Sequence, residues 1–348
     1  MVQSSAEVAH PGRSTGQVPT LADVADAAGV SRQTVSNAIN NPDLLRQDTL
    51  ERVQQAIESL GYSPNRAARN LRTQSSQLIG LRFAPAEEGT ANALMDRFVH
   101  TLTEAAQEAG YHVLLFVGDP QDPEVGYEEL IRSHSVDAFV VTDTYLGNPQ
   151  TEWLRQRNFP FVAFGRPWND PASTHPWVDV DGAAGAEQAT HHLIDRGHTQ
   201  IAFLGWSATS SVGEDRHTGW LRAMAQRGLP VDGRYRQTED TVEAGAAVAA
   251  ELLDHGVTGF VCASDTLGMG VLHTLWHRQL APGREVGVVG FDDSQVAQVV
   301  QPGLTSVRQP LEEVAREVVR AVEALIRRDP VEPTGVLLPP TLVVRGSS

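Results

Sequence analysis

The chain has 348 residues, 41% of them hydrophobic, and its 43 acidic against 27 basic side chains leave a net charge of −16. That length exceeds one comfortable core, so a small module joined to a two-lobed body is expected, and no apolar run nears the roughly 18 residues of a transmembrane helix. The single cysteine, Cys262, excludes an intrachain disulfide and fits a cytoplasmic protein, and its place in the apolar run Phe260 to Ala263 makes it a buried thiol rather than a nucleophile.

Residues 1–19 are polar, carry Pro11, Gly12 and Ser14, and lack the apolar stretch of a signal peptide, so a disordered leader is expected. Leu21, Val24, Ala25 and Ala28 then form an apolar stripe at helical spacing. It breaks at Gly29-Val30-Ser31, where a tight turn needs a residue tolerant of positive φ. Ser31 can cap a second helix whose inner face is Val35, Ala38 and Ile39. Asp48 with Glu51 reads as a capping box for a third helix, with core stripe Val53, Ile57 and Leu60 and a stop at Gly61. Two short helices across a Gly-bearing turn are the helix-turn-helix arrangement, whose second helix enters the DNA major groove. The outer face of that helix carries Arg32, Gln33, Ser36 and Asn37, side chains suited to guanine, adenine and phosphate. A hairpin used only for packing would not need them together on one exposed face.

A net negative charge opposes DNA binding, but the charge is unevenly spread. From Tyr62 to Arg82 there are Arg66, Arg69, Arg72 and Arg82 and no acid, while the acids crowd the body. Screening confines each field to about 10 Å at ordinary salt, so local charge decides. An acidic body is expected to repel DNA everywhere except through the headpiece.

From about residue 77 the pattern alternates strand and helix. Apolar strand candidates are Gln77 to Phe83, Tyr111 to Val117, Ala138 to Thr142, Phe161 to Phe164, Ile201 to Gly205, Gly259 to Ala263 and Val286 to Gly290. Helical stretches are Met95 to Ala109, Ala183 to Asp195, Gly219 to Arg227, Val242 to Asp254 and Leu267 to Arg278. Such alternation means parallel α/β sheets, and there are too many units for one domain of ordinary size.

The phrases TLADVADAAGVSRQTVS, from Thr20 to Ser36, and LGYSPNRAARNL, from Leu60 to Leu71, resemble the headpiece of the lactose-repressor (LacI/GalR) family of transcription factors. The body carries phrases of the same family: Val178 to Gly182, HHLIDRGHTQIAFLG from His191 to Gly205, Arg216-x-x-Gly219-Trp220, Ser264-Asp265, and GVVGFDDS from Gly287 to Ser294. The resemblance implies an α/β fold with an N-terminal three-helix helix-turn-helix headpiece and a hinge helix. A two-lobed periplasmic-binding-protein-like core of parallel sheets then follows. Expected segments are a leader at 1–19, headpiece at 20–63, hinge and linker at 64–76, and core at 77–345. Within the core the first lobe takes about 77–178 and 307–330, the second about 179–305 and 331–345. Three crossovers are expected near Val178 to Asp181, Leu304 to Gln309 and Val331 to Leu338, the last rich in proline.

In the DNA-binding part, Arg32 and Gln33 are expected to read base edges with Asn37, and Thr20, Ser31, Thr34 and Asn40 to fix register on phosphates. Ser36 shares that outer face. The family's hinge segment, with Asn65, Arg66, Ala68 and Leu71, is expected to fold on the operator and press Leu71 into the minor groove.

In open α/β sheets ligands sit at the carboxyl ends of strands. Asp143 and Asp265 each follow a strand, and Arg216 is expected in the loop after Ile201 to Gly205, before a helix near Gly219. Carboxylates and a guanidinium suit adjacent hydroxyls of a sugar, and the positions of Arg216 and Asp265 match effector contacts of the family. Trp168, Trp177 and Trp206 stand near strand ends, where an indole could stack on a pyranose, whereas Trp220 reads as core. Glu239 and Asp240 could reach the cleft, and Asp292 reads as structural.

An enzymatic constellation is missing from the sequence: no G-x-S-x-G, P-loop or G-x-G-x-x-G after a strand, and no cysteine pair for zinc. His273 and His277 are i, i+4 on a helix, a zinc-like spacing, but without the usual intervening Glu or a third ligand they read as solvent-facing or core histidines, and no metal site is expected. The expectation is a non-enzymatic cytoplasmic repressor that needs no cofactor, forms a homodimer on a pseudo-palindromic operator, makes no membrane contact and responds to a small-molecule effector. A mono- or oligosaccharide is the expected effector, a nucleobase acting as corepressor the alternative.

Overall fold

The computed structural model describes residues 19–63, 75–83, 93–118, 122, 124–168, 170, 173–207 and 210–348. The chain divides into two compact units, Met1–Gln74 and Ser75–Ser348.

The first unit is built from α1 (Leu21–Ala28), α2 (Arg32–Asn40), a one-turn 3₁₀ helix (Pro42–Leu44) and α3 (Gln47–Leu60). Val24, Ala25, Ala28, Val35, Val53 and Ala56 are buried together, with Ile39, Ile57 and Leu60 packed around them. Gly29 and Gly61 close α1 and α3 in the left-handed region, at φ 64° and 61°. The Ser31 hydroxyl accepts from the Thr34 N–H at 3.1 Å, which caps α2 as expected. The expected Asp48–Glu51 capping box is absent. Helix α3 begins two residues earlier than that box requires, with Arg46 as its N-cap, so Asp48 bonds its neighbour Thr49 and Glu51 accepts from Gln47. The headpiece does contain a capping box, at the start of α1, where Thr20 and Asp23 satisfy each other's backbone N–H.

The second unit holds two six-stranded sheets. In chain order the first lobe contributes β1 (Leu78–Phe83), α4 (Ala93–Glu108), β2 (His112–Val117), α5 (Val125–Arg132), β3 (Ala138–Val141), α6 (Pro149–Gln156), β4 (Phe161–Phe164) and β5 (Trp177–Val180). The second lobe follows with α7 (Gly182–Asp195), β6 (Ile201–Gly205), α8 (Ser211–Gln226), β7 (Tyr235–Gln237), α9 (Val242–Asp254) and β8 (Gly259–Cys262). It continues through α10 (Asp265–His277), β9 (Gly287–Phe291), α11 (Gln295–Val299) and β10 (Thr305–Arg308). Helix α12 (Leu311–Arg327) and β11 (Gly335–Leu338) return to the first lobe, and β12 (Thr341–Val343) ends in the second. The strand orders are β11-β5-β4-β3-β1-β2 and β12-β10-β9-β8-β6-β7, all parallel except the β10–β12 pair. Each order reverses beside its first strand, so each lobe has a switch point, the place where open α/β sheets receive ligands.

The chain crosses between lobes just after Val180, just after Arg308 and at Pro339-Pro340. The last crossing corrects the expected division, because Gly335–Leu338 pairs in register with Trp177–Val180 and so belongs to the first lobe. Prolines cannot donate to a ladder, and the Pro339-Pro340 pair, not the earlier prolines, is where pairing ends. Val178 to Val180 and Thr305 to Arg308, expected as connectors, are strands that run up to their crossovers. Close approach of α7 and α8 depends on Gly219, where an added Cβ would lie 1.9 Å from the Ala183 carbonyl oxygen.

Candidate functional site

Helix α2 presents a polar outer face. Arg32 is exposed, and among the described residues its guanidinium has no hydrogen-bond partner. Gln33 donates to Asn37 Oδ1 at 3.1 Å across one turn, which aligns both amides on one face. Asn40 donates to the Ser36 carbonyl at 2.6 Å. Thr20, Ser31 and Thr34 cluster at helix starts, Thr20 bonded to Asp23 at 2.8 Å and Ser31 to Thr34 at 2.9 Å. N-terminal N–H groups and hydroxyls there suit a phosphate oxygen. Asn65, Arg66, Ala68 and Leu71 lie outside the described residues.

In the second unit a cavity of about 730 Å³ opens between the lobes, at the carboxyl ends of both sheets. Asp143, Phe164 and Asp179 line it from the first lobe, and Trp206, Arg216, Asp240, Asp265 and Asp292 from the second. Arg216 stands in the second turn of α8, not in the loop expected from sequence, because Ser210 caps that helix and it begins at Ser211, eight residues before Gly219. Its guanidinium carbon lies 3.7 Å from the Phe291 ring centroid and 5.0 Å from that of Trp206. Nη1 donates to the Ala263 carbonyl, Nη2 is 3.6 Å from Asp292 Oδ1, and Nε is buried without a partner. The aromatic faces hold the cation in place while the strand end and the carboxylate orient it.

Asp292, read from sequence as structural, faces this cavity beside Arg216. It sits at φ 99°, a conformation that side chains seldom adopt, and accepts from Gln309 Nε2 at 2.7 Å. Burial pushes its carboxyl above the usual carboxylate range, opposed by the Arg216 charge. Asp265 differs. It borders the cavity but its oxygens are taken: Oδ2 by the Ser294 N–H and hydroxyl, both at 2.7 Å, and Oδ1 by the Ser306 hydroxyl at 2.6 Å. Burial, with Asp292 nearby, pushes its carboxyl up to about 7. Asp240 is exposed and accepts from the Ser264 hydroxyl, and Asp143 is exposed at φ 56° on the opposite wall.

Trp168 does not line the cavity. It sits at φ 48°, and its indole donates to the Thr144 hydroxyl, 3.1 Å away. Trp177 lies flat over Gly335, where a Cβ would come within 2.2 Å of the ring, and Trp220 is buried in the core. Of the indoles considered, Trp206 is the one that reaches the cavity. Two further arginines, unmarked in the sequence reading, tie the lobes together. Arg97 donates to the Asp292 carbonyl at 3.2 Å, and Arg166 bridges Asp179 and Asp215.

Residues 20–65 match the model of bacterial regulatory proteins of the lacI family, and residues 190–348 that of the periplasmic binding protein-like domain. The HTH-type transcriptional regulator CelR of Thermobifida fusca is 33% identical over 333 residues, 94% of this chain and 98% of that protein. The chain belongs to the LacI family. It is a DNA-binding transcriptional regulator. Among solved structures, a LacI-family regulatory protein from Chloroflexus aggregans has a TM-score of 0.74 at 36% identity, covering 78% of this chain and 99% of that one. The complex of the transcriptional regulator CelR with cellobiose has a TM-score of 0.72 at 31% identity, covering 95% and 100%. Among the described residues, no helix of this LacI-family chain is long and apolar enough to cross a membrane.

Proposed function

We propose that this regulator is a cytoplasmic repressor, active as a homodimer on a pseudo-palindromic operator, and that an uncharged sugar bound between the lobes controls it. The observation that carries the effector reading is the composition of the cleft. Asp143 from one lobe and Asp240 from the other face a shared space, with a single guanidinium, already engaged, and an indole beside it. Carboxylates on opposite walls accept from sugar hydroxyls and draw the lobes together, while they repel anions. The cellobiose bound by CelR supports the same class of ligand.

On DNA, Arg32, Gln33 and Asn37 serve as the base-reading side chains. Thr20, Ser31, Thr34, Ser36 and Asn40 serve the backbone, and the segment with Asn65, Arg66, Ala68 and Leu71 serves as the minor-groove hinge. One recognition helix contacts too few base pairs for specific affinity, which is the physical argument for two copies. Effector binding then acts through lobe closure, with a coupling of about 1–3 kcal/mol.

A thermal-shift panel of neutral mono- and disaccharides, phosphosugars and nucleobases tests this, because a ligand bound only to the native state raises its melting temperature. A shift with neutral sugars is expected. Arg216→Ala and Asp292→Ala should each weaken the confirmed ligand at least tenfold, as removing a charged partner costs about 1.5–3 kcal/mol, with ligand-free operator binding retained. Unchanged affinity in both variants would place the effector elsewhere.

A further inference from the structure

We propose that His273 and His277 form a two-imidazole binding site for a divalent late first-row transition ion, Cu²⁺ or Zn²⁺, on the exposed face of α10. The regulatory reading of the cleft and headpiece makes no use of this pair, and the proposal is independent of it. Residues four apart on a helix stand one above the other, and here the two Nε2 atoms face each other at 3.1 Å. The ring planes are 68° apart, with centroids at 4.4 Å. Two nitrogens each about 2.05 Å from one metal are about 2.9 Å apart at a right angle and about 3.3 Å apart at a tetrahedral one. The observed separation falls between these values, so a metal can be taken up with ring movements of a few tenths of an ångström.

The surroundings favour a cation. His277 is the last residue of α10, where the helix dipole is negative. The neighbouring cation, Arg278, is neutralised by Asp254 at 2.6 Å, and the whole chain is strongly acidic. Among the described residues the two imidazoles have only each other as hydrogen-bond partners. The described residues bring no group of three or more metal-ligating side chains together, so the remaining positions on the ion belong to water.

The test is titration of the full chain with Cu²⁺ or Zn²⁺ alone, followed by calorimetry in a buffer that does not bind metals. One ion per chain is expected in the tightest step. His273→Ala and His277→Ala should each weaken that step at least tenfold, because either change removes the chelate. Trp276, 41% exposed beside the pair, supplies a local readout. Cu²⁺ should quench its fluorescence, and Trp276→Phe should remove that quenching while the binding heat persists. Both histidines are exposed, so the variants should fold, which their melting temperature checks. A one-to-one step of unchanged affinity in the double Ala variant, or no such step in the parent chain, overturns the assignment.

Discussion

Arg166, on the first lobe, reaches Asp215 Oδ2, on the second, at 3.2 Å, one residue before Arg216 in the same helix. Arg166 also donates to Asp179 at 2.6 Å and to the Val180 carbonyl at 3.0 Å, at the point where the chain crosses between lobes. Asp215 in turn accepts from the Ala183 N–H at 3.0 Å, and Gly182 leaves room for it. A residue lining the cleft is thus covalently adjacent to one that anchors the lobe junction. This relationship ties the cleft residue to the crossover between the lobes.

The Asp215 carboxylate has two partners, and they can be separated. Asp215→Ala leaves the Arg166 charge with one acid and the Ala183 N–H with no acceptor, at a cost of about 2–3 kcal/mol. Asp215→Asn keeps an acceptor for Ala183 and should cost about 1 kcal/mol. Urea denaturation of both variants distinguishes them, and equal losses would show that the ion pair alone matters.

Gly219 allows α7 and α8 to touch. Gly219→Val should cost about 3 kcal/mol or more, because the added carbon meets a backbone carbonyl, which cannot rotate away as a side chain could. A melting temperature within a degree or so of the parent would contradict this.

Asp265 confers a pH dependence whose sign follows from its burial. Its carboxyl titrates near 7 in the folded chain and near 4 in the unfolded one. Between these values the folded chain holds a proton that the unfolded chain has lost, so this contribution to stability falls as pH rises from about 4 to about 7 and is flat above. Asp265→Asn removes the dependence and can still accept from Ser294 and donate to the Ser306 oxygen. Relative to that variant, the parent chain should lose stability between about pH 4 and about pH 7, as measured by denaturant midpoint.

Arg32 stands exposed at the start of α2, free to enter a groove. Arg32→Ala should cost about 1–3 kcal/mol on the operator and relax preference at one base pair of each half-site. Equal weakening on operator and random DNA would make it a phosphate contact.

The headpiece is the part most fully legible in sequence. Its stripe residues Val24, Ala25, Val35 and Val53, its turn at Gly29 and its cap at Ser31 are decided by neighbours within a few positions, so periodicity and capping chemistry suffice to read them. Strand positions in the body are legible for a similar reason: short apolar runs such as Phe161–Phe164 and Ile201–Gly205 are buried on both sides of a parallel sheet. Helix α12 is equally regular, with Leu311, Val314, Ala315, Val318 and Val322 buried, although it is not among the helices expected above.

Local pattern does not decide how each acid at the cleft is engaged. Asp265 and Asp292 both follow a strand of the second lobe, and the strand-end rule treats them alike. They are separated by partners from distant segments: β10 brings the Ser306 hydroxyl to Asp265, while α8 brings the Arg216 guanidinium to Asp292. Trp168 and Trp206 divide in the same way, one indole held by Thr144 and the other left beside Arg216. The lobe that owns Gly335–Leu338 is likewise decided by pairing with Trp177–Val180, more than 150 residues earlier. Short-range sequence therefore determined the elements and the polar outer face of α2. Only the tertiary structure determined which polar side chains remain available to a ligand, because that depends on whether a distant donor has already claimed them.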